Sequence, residues 1–318
     1  MSETVTVQGR PELSRLKLFL ALSRTPHGVL DLAAPALGAL LAAGRFPPLG
    51  VAGLGLATAF AGYTAVYALN DVIDHRVDRE RLAAGAAAGP GDLDSVYVRH
   101  PLAQGLLSLR EGLFWVAAWA LLALIGAYRL NPLCAVVFLA AAALEAAYCL
   151  LLRVHPLRTL VSGVVKSSGA IAAVFAVDPA PSPALLLGLF AWLFLWEIGG
   201  QNVPNDWADL DEDCRLGART VPVCLGPAGA RAVILTCLLL SLAIGVLLFG
   251  LAPASLGLAA QAAALAAGLV LAVSPAWRLY RAGTRDHASA LFNRASYYPL
   301  AVLVIVVLHL TFGAPGPS

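Results

Sequence analysis

Two short acidic stretches carry the most specific chemical signal in this sequence. Residues 70–78 read N-D-V-I-D-H-R-V-D and residues 205–213 read N-D-W-A-D-L-D-E-D, so both contain the pattern N-D-x-x-D-x-x-x-D. Each stretch follows a long apolar run. At about 3.6 residues per turn, this spacing predicts that the three aspartates of each copy share one face of a helix. The six aspartates are Asp71, Asp74, Asp78, Asp206, Asp209 and Asp213.

Carboxylates at this density repel one another and lose solvation energy unless a cation lies between them. Hard oxygen ligands without histidine or thiolate partners favour Mg²⁺, which in proteins is often bound to substrate phosphate as well. The two stretches therefore predict a Mg²⁺ site for a phosphorylated substrate. All six aspartates are expected to be metal ligands and catalytic residues.

The composition indicates a membrane protein. Of the 318 residues, 59% are hydrophobic and 13% are charged, and the mean hydropathy is +0.79. An ordinary soluble domain is about 45–50% apolar and about 25% charged. The net charge of +2 gives no indication of a nucleic-acid partner, and no feature predicts a protein partner. The six scattered histidines are expected to be structural or solvated rather than metal ligands.

Nine apolar segments are long enough to cross a membrane, so the predicted fold is an all-α, polytopic bundle. Residues 1–25 are predicted to be a cytoplasmic segment, disordered over 1–10 and forming a short amphipathic helix over 11–25. Residues 26–318 are predicted to form a single transmembrane domain. The predicted spans are residues 28–44, 49–69, 106–127, 132–152, 158–177, 183–203, 230–251, 254–273 and 295–313.

The distribution of basic residues predicts the orientation of these spans. Of the 21 Lys and Arg residues, Arg45 and Arg129 lie in loops on one side and Lys166 lies within a span, whereas the others lie towards the opposite side. The N-terminus and both acidic stretches are therefore predicted to be cytoplasmic and the C-terminus external. Because each stretch ends an even-numbered span and precedes a basic loop, the chain is expected to form two related halves around a shared cavity.

Other polar side chains near the acidic stretches are candidates for substrate binding. An ionisable residue within a span is a functional candidate by default, which applies to Asp31, Lys166 and Glu197. Lys166 could equally pair with a neighbouring carboxylate, and many of the arginines could serve only as cytoplasmic anchors. The predicted substrate-binding residues are Asn70, Arg99, Glu145, Tyr148, Arg153, Lys166, Asn205 and Arg219.

On these residues the sequence resembles the UbiA superfamily of intramembrane prenyltransferases over nearly the whole chain. The resemblance implies a helical bundle around a central cavity, in which both motifs hold Mg²⁺ ions that bind an isoprenyl diphosphate. The apolar tail would then lie in a groove open to lipid. Departures from the family pattern are a long loop after the first motif and His100, which separates Arg99 from Pro101. The motifs are Asn70-Asp71-x-x-Asp74-x-x-x-Asp78, Arg99-x-Pro101 with Gly105, Tyr148 to Arg153, and Asp206-x-x-Asp209-x-x-x-Asp213 with Gly217, Thr220 and Pro222.

The resemblance and the motifs together predict a Mg²⁺-dependent prenyltransferase. It would transfer an isoprenyl group from an isoprenyl diphosphate to an aromatic or other small or lipidic acceptor within the membrane. Glu145 or Asp31 would orient the acceptor or take its proton.

Three alternatives remain open at this point. Without an acceptor, the same aspartates would support a terpene cyclase, and with a sugar diphosphate on the metal they would support transfer from a polyprenyl phosphate. A membrane transporter or Mg²⁺ channel belongs to another class. It is disfavoured because the aspartates cluster at one membrane face and no acidic ladder crosses the bilayer.

Overall fold

A computed structural model describes residues 13–83 and 93–312, which are mainly α-helical and contain no β-strand. This confirms the predicted all-α class. Two π-helical turns, Glu197–Asn202 and Leu269–Val273, and a 3₁₀ turn, Leu93–Ser95, complete the regular structure. The helices are α1 (Arg15–Leu22), α2 (Thr25–Asp31), α3 (Ala33–Ala43), α4 (Leu49–Ala83), α5 (Leu109–Leu130), α6 (Pro132–Leu150), α7 (Arg158–Val177), α8 (Pro183–Trp196), α9 (Val203–Ala208), α10 (Leu210–Leu216), α11 (Val221–Leu251), α12 (Leu258–Gly268), α13 (Ser274–Ala282), α14 (Arg285–Ala295) and α15 (Tyr298–Phe312).

Nine helical segments in the described part of the chain are long and apolar enough to cross a membrane, as predicted. Four of them each join two helices into one continuous span, and two of these four contain a π-helical turn between the helices. The segments are Thr25–Ala43, Leu49–Ala83, Leu109–Leu130, Pro132–Leu150, Arg158–Val177, Pro183–Ala208, Val221–Leu251, Leu258–Ala282 and Arg285–Phe312.

Several predicted boundaries are wrong because helices continue where the apolar pattern stops. α4 runs through the first acidic stretch to Ala83. Its 35 residues correspond to about 52 Å at 1.5 Å per residue, well beyond a hydrocarbon core of about 30 Å. α11 begins at Val221 rather than near residue 230, with a break at Gly226 (φ 66°) before Pro227. The predicted 274–294 connection is also largely helical, as α13 and α14.

The N-terminal helix is shorter than predicted. Its first residue is Arg15 and its last is Leu22, and the Ser14 side chain caps it by accepting a hydrogen bond from the Lys17 backbone N–H. The predicted disorder over residues 1–10, and the middle of the long loop after the first motif, lie outside the described residues.

The second acidic stretch does not form one regular helix, which corrects the prediction of a single shared face. A π-helical turn, Glu197–Asn202, precedes α9, and the backbone leaves the helical region at Asp209 (φ −98°, ψ 11°) before α10 begins. π-Helical turns are rare and occur frequently at functional sites. Here the π-helical turn lies just before the motif. The aspartates of the second stretch are therefore carried by two short helices, α9 and α10, rather than by one straight helix.

Small residues let the spans pack closely around the core. A side chain at Gly38 on α3 would place its Cβ 2.4 Å from the Ala170 carbonyl oxygen on α7, and one at Gly199 would lie 2.8 Å from the Ile234 carbonyl oxygen on α11. Transmembrane helices commonly meet through such small residues because lipid offers no hydrophobic driving force for their association. These contacts fix α7 and the π-helical turn, which carry part of the site.

Candidate active site

Side chains from both acidic stretches border one polar chamber of about 150 Å³. The chamber lies among α2, α4, α6, α7, the Glu197–Asn202 turn, α9, α10 and residues 94–100. Five of the six predicted aspartates line it, and the sixth, Asp71, is buried beside it. The five lining aspartates are Asp74, Asp78, Asp206, Asp209 and Asp213.

His100 joins two aspartates of the first stretch. Its Nδ1 lies 3.3 Å from Asp71 Oδ1 and 2.9 Å from Asp78 Oδ2. Burial alone would lower the pKa of His100, but the charges of Asp78 and Asp71 outweigh it and raise the pKa to about 9. His100 also has a left-handed backbone (φ 51°), which is strained for a non-glycine residue. His100 is therefore not solvated but belongs to the ionic network of the first acidic stretch.

Arg24 approaches the same stretch from the start of α2. Its guanidinium donates to Asp94 Oδ2 and to Asn70 Oδ1, both at 3.0 Å, and lies 3.6 Å from Asp71 Oδ1. Burial opposes the charge on Arg24, yet Asp94 and Asp71 more than offset it and raise its pKa. The pKa of Asp94 is lowered, because its charged neighbours His27 and Arg24 outweigh the effect of burial. Arg24 shares with His100 a positive φ, here 43°.

Arg81 links the two acidic stretches directly. Its guanidinium donates to Asp213 Oδ1 at 2.8 Å and lies 3.5 Å from Asp78 Oδ1. Arg99 in turn lies 2.9 Å from Asp209 Oδ2 and 3.5 Å from Glu212 Oε2. Burial raises the pKa of Asp213 in spite of the nearby Arg81. Asp78 and Asp213, more than 100 residues apart in sequence, are thus held together by Arg81.

Arg158 contacts another motif residue, Asp206, through only one of its carboxylate oxygens. Its Nη1 lies 3.4 Å from Asp206 Oδ1, and its guanidinium stacks 3.9 Å from the centre of the Tyr148 ring. Asp206 Oδ2 is buried and has no hydrogen-bond partner among the described residues. A buried carboxylate oxygen without a partner carries a desolvation cost.

These donors fit a hard divalent cation. The unpartnered Asp206 oxygen and the neighbouring carboxylates supply the oxygen ligands that Mg²⁺ prefers. Ligand atoms of Asp71, Asp78 and His100 also lie within 4.8 Å of one another, a spacing that could hold a metal ion. The nitrogen ligand of His100 is the one member of this group that sequence reasoning did not include.

A second polar group lies further along the chamber. Lys166 Nζ donates to Asp31 Oδ2 at 2.7 Å and to the Tyr67 hydroxyl at 3.1 Å, and Tyr67 donates to Asp31 at 2.5 Å. Glu197 accepts a hydrogen bond from Ser162 at 2.7 Å through Oε1, while its Oε2 lies 4.0 Å from Lys166 Nζ. The sequence-based alternative that Lys166 pairs with a carboxylate is confirmed.

A larger apolar cavity of about 390 Å³ adjoins the chamber. Tyr63, Val66 and Val165 line both spaces and form their junction. The cavity follows α4 from Val51 to Val66, about 22 Å at 1.5 Å per residue. Its walls are mostly alanine, valine, leucine and glycine from α3 to α7, with Leu303 and Val307 from α15.

The structure brings most of the predicted substrate-binding residues to the chamber. Asn70 donates to Glu145 Oε1 at 2.8 Å, and the Tyr148 hydroxyl accepts a hydrogen bond from Asn202 at 2.9 Å. Asn205 and Lys166 also line the chamber, and Arg99 borders it through Asp209.

Two predicted arginines do not reach the chamber, and their placement corrects the prediction. Arg153 is exposed and pairs with exposed Glu80. Arg219 is also exposed, and its backbone N–H donates to the Leu152 carbonyl oxygen. Arg158 occupies the position facing the motif instead, because it begins α7 and points inward.

Sequence reasoning missed several charged and polar residues of the chamber. Arg81 follows Asp78 by one helical turn, so its helical spacing was an available signal. Most of the others lie near span ends or in the loop after the first motif, where nothing in the local pattern separates them from solvated residues. The missed residues are Arg24, His27, Arg81, Asp94, His100, Arg158, Gln201, Asn202 and Glu212, together with Tyr63, Tyr67 and Ser162, which are uncharged residues within predicted spans.

Comparisons with known proteins agree with this architecture, and the chain belongs to the UbiA prenyltransferase family, whose model matches residues 32–301. It is 30% identical over 289 residues to a 4-hydroxybenzoate octaprenyltransferase of Paracidovorax citrulli, covering 89% of this chain and 90% of that one. It is 32% identical over 231 residues to a 4-hydroxybenzoate octaprenyltransferase of Albidiferax ferrireducens, covering 71% and 72%.

Solved structures share the fold. A UbiA homologue from Aeropyrum pernix aligns with a TM-score of 0.70 at 24% identity, covering 89% of this chain and 98% of that one. A UbiA homologue from Archaeoglobus fulgidus bound to GPP and Mg²⁺ aligns with a TM-score of 0.66 at 17% identity, covering 91% and 99%. The chain is therefore a multi-pass membrane prenyltransferase of this family.

Proposed function

We propose that this chain transfers the isoprenyl group of an isoprenyl diphosphate to an aromatic acceptor, with Mg²⁺ bound by the two acidic stretches. One observation carries the proposal: a chamber lined by carboxylates and cations opens at Tyr63 into a long apolar cavity. A molecule with a doubly phosphorylated end and an apolar tail matches both spaces. The relatives named as octaprenyltransferases, and the Archaeoglobus homologue bound to GPP and Mg²⁺, support this substrate class.

The diphosphate end would lie among the acidic stretches. Asp71, Asp74, Asp78 and the aspartates of the second stretch would hold Mg²⁺, which when bound supplies positive charge to the diphosphate and stabilises it as a leaving group. Arg81 and Arg158 are engaged by motif carboxylates in this structure. With those carboxylates on metal, the guanidiniums become available to diphosphate oxygens, which they bind strongly because of their charge and planar geometry.

The transfer step breaks one bond of the isoprenyl diphosphate and forms one bond to the acceptor. The bond between C1 of the isoprenyl group and the diphosphate oxygen breaks, and its electron pair leaves with the diphosphate. A nucleophilic carbon or oxygen of the acceptor forms the new bond to C1, and the acceptor loses one proton. Glu145, held by Asn70, or Asp31, held by Lys166 and Tyr67, would orient the acceptor or take that proton.

We also propose that the chamber faces the cytoplasm, because most basic residues lie on its side of the bundle. The test uses single cysteines in a cysteine-free background, one at Arg79 near the chamber and one at Arg45 on the opposite side. An impermeant thiol reagent added to intact cells should label position 45 but not position 79. The reverse pattern would overturn this orientation.

Product analysis of purified protein tests the proposed reaction. Incubation with Mg²⁺, isoprenyl diphosphates of several lengths and a panel of phenolic acceptors should give prenylated acceptor and free diphosphate by mass spectrometry, and chelation of Mg²⁺ should stop both. Asp71→Asn and Asp209→Asn should abolish transfer. Asp211→Asn is the matched control, since Asp211 belongs to the same acidic segment but is exposed and does not line the chamber.

Two results would contradict the proposal. Transfer that persists without Mg²⁺, or in Asp209→Asn, would remove the acidic stretches from the reaction. Cyclised hydrocarbon instead of prenylated acceptor would show that the same site ionises the diphosphate but acts as a cyclase.

A further inference from the structure

A group of buried polar residues outside the acidic stretches lies at the end of the chamber nearest the apolar cavity. It combines Asp31 from α2, Tyr67 from α4, Lys166 from α7 and Glu197 from the π-helical turn. Lys166 is the centre of the group, with Asp31 Oδ2 at 2.7 Å and Glu197 Oε2 at 4.0 Å. Tyr63, which lines the chamber beside this group, also lines the apolar cavity. The group therefore adjoins the place where the head of an isoprenyl chain meets its tail.

Three buried polar atoms around this group lack hydrogen-bond partners among the described residues: His27 Nε2, the Tyr63 hydroxyl and Glu197 Oε2. The nearest charged neighbour of His27 Nε2 is Asp31 Oδ1 at 3.8 Å. Only 3% of His27 and 6% of Glu197 is exposed. Buried polar atoms without partners are unusual in folded proteins, and all three belong to residues that line the chamber. They indicate a ligand that brings its own hydrogen-bonding groups.

The cation of this group pairs with carboxylates outside the acidic stretches, unlike Arg81 and Arg158. Arg81 and Arg158 pair with motif aspartates, so bound metal would release them. Lys166 pairs with Asp31 and Glu197, neither of which belongs to a motif. Metal binding therefore leaves Lys166 neutralised, with two carboxylates around one ammonium. His27 and Arg24 share one carboxylate, Asp94, at 2.6 and 3.0 Å. Apart from the acidic stretches and the basic residues that pair only with them, the four carboxylates around the chamber therefore outnumber the three cations; they are Asp31, Asp94, Glu145 and Glu197 against Arg24, His27 and Lys166.

We infer that this group is the acceptor subsite and that it selects an aromatic acceptor with an un-ionised hydroxyl and no carboxylate. The acceptor hydroxyl donates a hydrogen bond to Glu197 Oε2, and the Tyr63 hydroxyl gives the acceptor a second polar contact. An acceptor carboxylate would add a further negative charge beside three cations that each already lie within 3.0 Å of a carboxylate oxygen, so it is disfavoured. This inference rests on the proposed function. It also distinguishes this chain from its relatives that are named for 4-hydroxybenzoate.

Gly169 supports the assignment of Tyr63. A Cβ at Gly169 would lie 2.8 Å from the Tyr63 hydroxyl, so the absence of a side chain there leaves room for this hydroxyl. Glu197 has comparable support, because Ser162 holds its Oε1 and leaves Oε2 free to accept from a ligand. Glu197 is thus held in place with one oxygen available, and Tyr63 has room for a hydroxyl that is also available.

The test compares 4-hydroxybenzoate with its methyl ester, which keeps the phenol and removes the charge. In the wild-type protein with Mg²⁺ and one isoprenyl diphosphate, kcat/KM should be at least tenfold higher for the ester. Glu197→Gln should lower kcat/KM for the ester at least tenfold and bring the ratio between the two acceptors towards one. The KM for isoprenyl diphosphate should stay within twofold. Glu80→Gln, the same change at an exposed position, is the control and should match wild type.

A second variant keeps the test informative if Glu197→Gln folds poorly. Tyr63→Phe retains the ring and removes only the hydroxyl, and it should raise the KM for the ester at least threefold without changing the KM for isoprenyl diphosphate. Equal or better use of 4-hydroxybenzoate by wild type, no prenylation of either compound, or unchanged acceptor kinetics in Tyr63→Phe would overturn the inference. If only the acceptor inference were wrong, Mg²⁺-dependent binding of the isoprenyl diphosphate would still be observed. Loss of that binding in wild type would instead overturn the proposed function, and the acceptor assignment with it.

Discussion

One helix borders two contrasting spaces in this protein. Along the same face of α4, the residues that line the apolar cavity are small or aliphatic from Val51 to Gly62, whereas those that line the chamber from Tyr67 to Arg81 are polar or charged. Tyr63 and Val66 belong to both. The change occurs within about one helical turn, and it separates a space suited to a hydrocarbon tail from one suited to a diphosphate.

The two spaces differ in how their walls are stabilised. The helices around the apolar cavity are held together by close packing of small residues. Lipid tails and apolar side chains are similarly apolar, so these walls carry no large desolvation cost. The chamber contains buried carboxylates and cations, which are costly unless each charge is paired. Three arginines and one lysine of the chamber, as described here, each lie within 3.4 Å of a carboxylate oxygen. Because these buried charges depend on their partners, function is expected to respond most strongly to changes in the chamber.

The largest expected effect comes from Asp206→Asn in the chamber. This change should reduce transfer to about a hundredth or less, the scale reported for removal of one preorganised electrostatic group. The melting temperature without metal should stay level or rise, because Asp206 Oδ2 is buried without a partner and its charge is only partly offset by Arg158. The added stability from Mg²⁺ plus diphosphate should be lost. Thermal melting with and without these ligands, alongside product formation, measures both effects.

Asp211→Asn, exposed in the same segment, should behave as wild type in both measurements. An Asp206→Asn protein that melts early yet turns over normally would show a structural role and exclude Asp206 from the metal site.

An intermediate effect is expected at Arg158. Arg158→Lys keeps the charge but removes the planar group that stacks on Tyr148 and reaches Asp206. Charge-assisted hydrogen bonds contribute about 1.5–3 kcal/mol, so kcat/KM for isoprenyl diphosphate should fall by about tenfold to a hundredfold. Steady-state kinetics with a saturating acceptor provides the measurement.

Arg153→Lys is the matched comparison, five residues earlier in the chain. Its side chain is exposed and pairs with Glu80, and such surface pairs contribute about 0–1 kcal/mol. Its kinetics should therefore stay close to wild type. If Arg153→Lys were the more damaging change, the diphosphate would have to bind outside the chamber described here.

The smallest effect is expected in the apolar cavity, and it should depend on chain length. Ala59 lies about one helical turn beyond Tyr63 on the cavity wall, so Ala59→Phe should block the deeper part while leaving the chamber intact. Each CH₂ that is no longer buried costs up to about 0.8 kcal/mol. The KM of a long isoprenyl diphosphate should therefore rise about tenfold, with little change for a five-carbon diphosphate.

Ala117→Phe places the same ring on an exposed face of α5 and serves as the control, with no expected dependence on chain length. In the wild-type protein, affinity should increase with tail length until the cavity is filled. Affinity independent of length would mean that the tail remains in lipid or detergent, outside this cavity.

The membrane fold can be predicted from the sequence alone, and the sequence also predicts where the centre of the site lies. Nine apolar segments can be recognised in the sequence. A membrane span must form its backbone hydrogen bonds internally and must present apolar side chains to lipid. Ionisable residues in membrane spans are rare because of their desolvation cost, so two repeated acidic stretches at span ends predict a functional site, and in the structure both stretches border one chamber. Asn70 and Glu145 were found on the same basis and meet at 2.8 Å.

Which of the many basic residues face that chamber depends on the tertiary structure. Arg153 and Arg158 are equivalent in sequence as basic residues beside a span, and the rotation of α7 directs Arg158 to Asp206. His100 approaches Asp71 and Asp78 through a left-handed backbone that no local pattern predicts. These placements depend on long-range packing between helices, whereas periodicity and composition report only on the neighbours of a residue along its own chain.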